Sequence, residues 1–213
     1  MRIVIDARRP APEASSMARE PKNFEHLLGG NAKGLTDAQL RAHFTLYQGY
    51  VKKLNEIRDK LAKVDRGAPN YSFNEYSELK RREPVAFNGT VLHELYFENL
   101  GNGSTQPDEH TKKLIAASFG SFDDWLVDAK AALMSAHGWL VVAYDYTERQ
   151  LLNNLVRTEH DVGLFANTHV LLAVDAWEHA YFLDYQTKKA DYVASTLSGL
   201  DWKRIGERFG AIK

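Results

Sequence analysis

The apolar residues of this chain change their period once, and that change constrains the fold more than any other feature. Up to about residue 136 they recur at threes and fours, as in amphipathic helices. From Gly138 they come in short continuous runs, Trp139–Tyr144, Gln150–Val156 and residues 169–174, with the turn 145–149 and the loop 157–167 between them. The expectation is an α+β fold: an N-terminal antiparallel helical hairpin, then an α/β domain with a three-stranded antiparallel sheet flanked by helices.

Thr36 reads as the cap of the first helix, with Gln39 three residues on as in a capping box. Leu40, His43, Tyr47, Tyr50, Val51, Leu54, Ile57 and Leu61 carry the period to about Arg66, before the Gly67-Ala68-Pro69 break. Residues 70–83 are polar, with room for a short helix. A second helix is predicted over Val91–Leu100, ended by Gly101-Asn102-Gly103-Ser104. Helices are further expected over 108–119, 121–136 (capped by Ser121), 177–197 and 201–209, with a break near Ser198-Gly199. The Gly- and Asn-rich stretch 101–107 marks a boundary between a helical-hairpin domain, 21–100, and an α+β domain, 101–213. Residues 1–20 show no sustained period and read as a flexible tail. Residues 21–34, with Phe24, Leu27, Leu28 and the Gly29-Gly30 turn, form a lead-in.

Composition removes several kinds of chemistry. There is no Cys, which excludes disulfides, thiolate zinc sites, iron–sulfur clusters and a cysteine nucleophile. A net charge of -1 argues against nucleic acid as a partner. No apolar run reaches the eighteen or so residues of a membrane span, and the charged start is unlike a secretory segment. A cytoplasmic protein is expected.

The apolar run Val170–Val174 ends on Asp175, and His179 follows four residues later. That spacing aims a carboxylate and an imidazole into one volume, half of a first-row metal site; alone, it also describes a helix cap beside an ordinary histidine. His43 shares a helix face with Tyr47 and Tyr50, and the hairpin lets His43 and His93 face one another.

Asp175-Ala176-Trp177-Glu178-His179-Ala180-Tyr181 resembles the C-terminal metal-binding signature of the iron/manganese superoxide dismutases. The resemblance continues through Gln186–Tyr192 and Leu200-Asp201-Trp202, and more loosely through the segments around His43 and His93. It implies one iron or manganese ion held by His43, His93, Asp175 and His179. Three imidazoles and a carboxylate suit either metal in both oxidation states, whereas zinc cannot cycle. The implied activity is dismutation of superoxide to O₂ and H₂O₂, with superoxide as substrate and a homodimer, or a tetramer, as the assembly.

The family commonly offers a Gln to the metal-bound solvent, from just before the second His ligand or from the loop before the third strand. Those places hold Gly89 and His160; a group arriving from the C-terminal domain is the manganese arrangement. The resemblance further makes Tyr50 the gate residue and Tyr47 its neighbour at the access path, although His43 and Tyr50 stand one position closer than the family pattern. Trp139 matches a pocket wall, and Glu178 a residue that crosses a dimer interface to the partner's last His ligand. Val141 and Phe97 stand where further Trp is frequent, and Lys189 is a candidate cation near the entrance. Three rival readings follow: a relative that binds metal without efficient turnover, a His₃Asp oxygenase and, lowest, a zinc hydrolase. Bulky Tyr47, Tyr50 and Trp139 narrow the pocket against the oxygenase.

Overall fold

The computed structural model describes residues 18–212. Residues 1–17 of the expected tail lie outside the described residues. Arg19 is pinned: its N–H donates to Asn55 Oδ1 and its carbonyl accepts from Asn55 Nδ2, each at 2.9 Å. The lead-in packs through buried Phe24 and Leu27.

Helix α1 spans Asp37–Lys63, and Thr36 Oγ1 accepts the Gln39 N–H at 3.3 Å. The other half of the expected capping box goes elsewhere. Asp184 takes the Thr36 N–H and hydroxyl at 2.8 and 2.6 Å. Gln39 instead donates to the His179 carbonyl at 2.6 Å and accepts the Leu183 N–H at 3.1 Å. A local cap thus becomes a tie between the helix start and the turn that carries His179.

Helix α2 spans Glu75–Asn99, with Asn74 capping it and Pro84 inside it. The separate short helix and second helix expected around Pro84 are one element. Pro84 removes one backbone donor and disfavours a helix interior. Leu79 and Ala86, on either side of it, pack against Leu54, Ile57 and Leu61 of α1, and that shared face carries the helix through.

Helices α3 (Glu109–Phe119) and α4 (Phe122–Ser135) begin at Asp108 and Ser121, whose side chains accept from Thr111 N and Asp124 N. The sheet follows as β1 (Trp139–Asp145), β2 (Gln150–Val156) and β3 (Thr168–Asp175), in the antiparallel order β2-β1-β3. Central β1 is buried along its whole length, which explains its continuous apolar run. Gly138 turns the chain into β1 at φ +143°, where a Cβ would lie 2.1 Å from the Val156 carbonyl oxygen. The register sets Trp139 opposite Asp175.

A tight turn, α5 (Thr158–Asp161), separates β2 from β3. After β3 the single helix expected over 177–197 is three pieces: a 3₁₀ turn Glu178–Ala180, α6 (Phe182–Tyr185) and α7 (Lys189–Ser198). Extended Trp177 and left-handed Gln186 make the breaks. The break after Ser198 falls where expected, and α8 (Trp202–Phe209) closes the fold. One apolar core joins Tyr96 and Phe97 of α2 to Trp139 and Leu140 of β1, Leu133 of α4, Val193 of α7 and Phe209 of α8. Among the described residues no helix is long and apolar enough to cross a membrane.

Candidate metal centre

His43 from α1, His93 from α2, Asp175 at the end of β3 and His179 in the 3₁₀ turn converge. Each offers one ligand atom, and these atoms all lie within 4.8 Å of one another. Asp175 Oδ2 lies 3.2 Å from His43 Nε2, 3.7 Å from His93 Nε2 and 3.1 Å from His179 Nε2. Donors about 2.1 Å from a common centre stand about 3.0 Å apart at a right angle and about 3.6 Å apart at 120°, so these separations fit one shared ion. The chemistry fits as well. His43 Nε2 and His93 Nε2 are buried without a hydrogen-bond partner, a costly arrangement that an ion would relieve.

The surroundings aim each ligand. His93 Nδ1 donates to the Gly89 carbonyl one turn back, which leaves the Nε2 lone pair facing the centre. Asp175 Oδ1 accepts the Trp177 N–H at 2.8 Å, freeing Oδ2. The residue that makes this bond, Trp177, is also the extended one that breaks the expected helix. Tyr192 Oη donates to the Asp175 carbonyl at 2.6 Å, so Tyr96, 3.0 Å away, donates to Tyr192. The pairing has no local sequence signal, since the two tyrosines stand 96 residues apart and meet only in the fold.

Electrostatics favour the ligating forms of His43, His93 and Asp175, while Asp175 draws a proton to His179. Burial holds His43 below its ordinary value and His93 well below, so both stay neutral. Burial pushes the Asp175 carboxyl up, but the His179 and His43 imidazoles beside it outweigh that and hold it well below the usual carboxylate range. For His179 burial lowers the value, and the Asp175 hydrogen bond and charge more than reverse that.

Beside the cluster lies a second constellation. His160 is buried, and both ring nitrogens have protein partners: Trp139 Nε1 at 2.8 Å from Nδ1, and Tyr50 Oη at 2.6 Å from Nε2. An indole N–H only donates, so Nδ1 accepts. Burial lowers the His160 value and keeps the ring neutral, so its single proton sits on Nε2 and is donated to Tyr50. Tyr50 thereby keeps its own proton for another acceptor. Its ring lies 5.3 Å from that of His93, and burial, then the charges of Asp175 and Glu159, push its hydroxyl up.

Gly89 makes this possible. A Cβ there would stand 2.5 Å from Tyr50 Cδ1 and 2.7 Å from Cε1, so the Tyr50 ring fills the place a side chain would occupy. Gly89→Ala is expected to destabilise the protein by about 1–2 kcal/mol, because overpacking outweighs the roughly 1 kcal/mol helix preference of Ala. Thermal unfolding should report a fall of roughly 2–8 °C. An unchanged or higher midpoint would show that Tyr50 has room to move.

Of the remaining candidates, Phe97 and Tyr47 pack on the histidines, with ring centroids 5.0 Å from His43 and 6.4 Å from His93. Tyr47 is buried, but its hydroxyl donates to Glu94 Oε1 and accepts the Lys22 N–H, each at 2.9 Å. Glu94 is itself gripped by Arg19 at 2.6 Å. Glu178 is exposed beside His179. Lys189 Nζ donates to the Ala136 carbonyl, while Val141 and Phe97 are core.

Residues 107–208 match the family model of the iron/manganese superoxide dismutases, C-terminal domain. The chain is 37% identical over 196 residues to the superoxide dismutase (Fe) of Aquifex pyrophilus, an alignment covering 89% of this chain and 90% of that protein. The chain belongs to the iron/manganese superoxide dismutase family. It is also 36% identical over 183 residues to the superoxide dismutase (Fe) of Cupriavidus metallidurans, covering 84% of this chain and 90% of that one. With the superoxide dismutase (Mn) 2 of Haloferax volcanii it shares 33% identity over 170 residues, 78% and 82% of the two chains. The resemblance read from the signature around Asp175 and His179 is borne out, as are the enzyme class and the fold.

Proposed function

We propose that this chain disproportionates superoxide to O₂ and H₂O₂ using one iron or manganese ion held by His43, His93 and His179 Nε2 and Asp175 Oδ2. The observation that carries this reading is the convergence of those four atoms, two of them buried and otherwise without partners. Two ligands come from each side of the boundary at 101–107, so the centre forms only when both halves are folded together. A bound iron or manganese ion would supply the redox couple for the two electron transfers, one from the superoxide oxidised and one to the superoxide reduced.

The chain supplies the protons and the shape. Superoxide is a small anion, and the one that is reduced takes up one electron and two protons to leave as neutral H₂O₂. Tyr50 is the gate residue: its hydroxyl proton is uncommitted while His160 donates to its oxygen. Trp139 fixes His160 through the indole N–H and walls the site, its ring 4.9 Å from that of His93. Of the two tyrosines on the α1 face, Tyr47 has its hydroxyl spent on Glu94, which favours Tyr50 for this role. Exposed Glu178 is assigned to the interface of a homodimer.

One observation favours a second reading, metal binding without efficient turnover. His160 stands at the place of the family's Gln with both ring nitrogens already engaged, so neither is free for a molecule at the centre. Reconstitution separately with iron and with manganese, with metal content and dismutation rate both measured, distinguishes the two. Fast turnover with either metal supports dismutation. Stoichiometric binding of both with no turnover sinks it.

A further inference from the structure

His160 sits in an unusual piece of backbone. Thr158, Glu159 and His160 have φ of +31°, +55° and +67°, three consecutive non-glycine residues in the left-handed region. Side chains disfavour that region, so the turn persists only because its surroundings hold it. Two polar side-chain contacts from α2 reach it. Arg82 pairs with Glu159 at 2.6 Å, but both side chains are more than half exposed and the pair is screened by water. Asn88 Nδ2 donates to the His160 carbonyl at 2.9 Å from a half-buried position.

We propose that Asn88 is the positioning residue of His160, holding the strained turn so that the imidazole meets Trp139 on one side and Tyr50 on the other. It stands next to Gly89, whose missing side chain admits the Tyr50 ring and whose carbonyl orients His93. The Asn88-Gly89 dipeptide therefore sets three groups of the centre at once: His160 through its backbone, Tyr50 through its ring and His93 through its tautomer. Asn88 acts by donating. A carboxylate of the same shape presents only acceptors to the His160 carbonyl and cannot replace it. The geometric part of this proposal is independent of turnover; its catalytic consequence rests on the role of His160 proposed above.

The test is backbone hydrogen exchange of the segment 157–163 in the metal-loaded protein, for Asn88→Ala, Asn88→Asp and Asn88→Ala combined with Thr158→Gly. Both single variants should exchange about 10-fold faster or more in that segment, with metal content and α1 protection unchanged. Thr158 is exposed, and glycine there tolerates the left-handed backbone, so the double variant should recover much of the protection. Turnover should fall with the loss of protection and return with it. Exchange in Asn88→Asp equal to the parent, or no rescue by Thr158→Gly, overturns the proposal. Normal turnover in His160→Ala beside fast exchange in Asn88→Ala would uphold the positioning and overturn the catalytic role of His160.

Discussion

Asp175→Asn is expected to leave a folded protein that takes up almost no iron or manganese and has lost turnover in proportion. The substitution keeps the shape of a fully buried side chain, and Oδ1 can still accept the Trp177 N–H. It removes the only anionic ligand. In place of Oδ2 it sets an amide nitrogen that donates to His43 and His179 rather than binding a cation. Loss of an outer hydrogen-bond partner alone costs about 10–100-fold in metal affinity, and loss of a direct charged ligand exceeds that. Without metal the variant should be no less stable than the parent. It forgoes charge-assisted hydrogen bonds worth about 1.5–3 kcal/mol, and it no longer buries a carboxylate at a cost of several kcal/mol. The measurement is the shift of thermal midpoint on adding each metal, with metal content alongside. Binding to the native state alone raises the parent's midpoint. A variant with a full metal complement and an undiminished shift would mean that other atoms hold the ion.

The candidate ligand set was legible because its chemistry is carried by residue type and spacing. Asp175 and His179 stand four apart at the end of an apolar run, and the signature around them is specific enough to name a family. The fold class was legible for a similar reason, since β1 is buried on both faces and reads as an unbroken apolar segment. What stayed hidden depends on contacts between distant parts of the chain. Gln39 fits a capping box by position, yet Asp184, 148 residues from Thr36, takes the Thr36 donors and releases Gln39 to the His179 turn. Pro84 signals a helix end locally, and packing on α1 overrides it. The residues after Asp175 have helical character, but an extended Trp177, whose N–H is held by Asp175, breaks the helix there. Asn88 carried no signal, because its importance arises from a strained turn 72 residues away.

His160 is where sequence and structure together make the sharpest distinction. Its two bonds are those a Gln side chain could also make, a carbonyl accepting from Trp139 and an amide N–H donating to Tyr50. His160→Gln should therefore keep metal content and hold turnover within about 10-fold of the parent, whereas His160→Ala should keep the metal and lose about 100-fold or more, because Tyr50, the proton donor, loses the bond that orients it and leaves its own proton free. The alanine variant also orphans the buried Trp139 N–H, a further cost of about 1–3 kcal/mol visible in unfolding. Acid separates histidine from glutamine. A protonated His160 carries a proton on Nδ1, which then faces the Trp139 N–H, donor against donor. Burial sets its folded value below the ordinary one of about 6.5, so the unfolded chain binds the extra proton more readily. The stabilisation is fully present above about pH 6.5 and is lost as the pH falls through the lower folded value. His160→Gln has no such group, and its turnover and stability should stay flatter on the acid side. Identical acid limbs for parent and His160→Gln would place the titrating group elsewhere. Equal turnover in His160→Ala and parent would remove His160 from the proton path and leave Tyr50 to act without it.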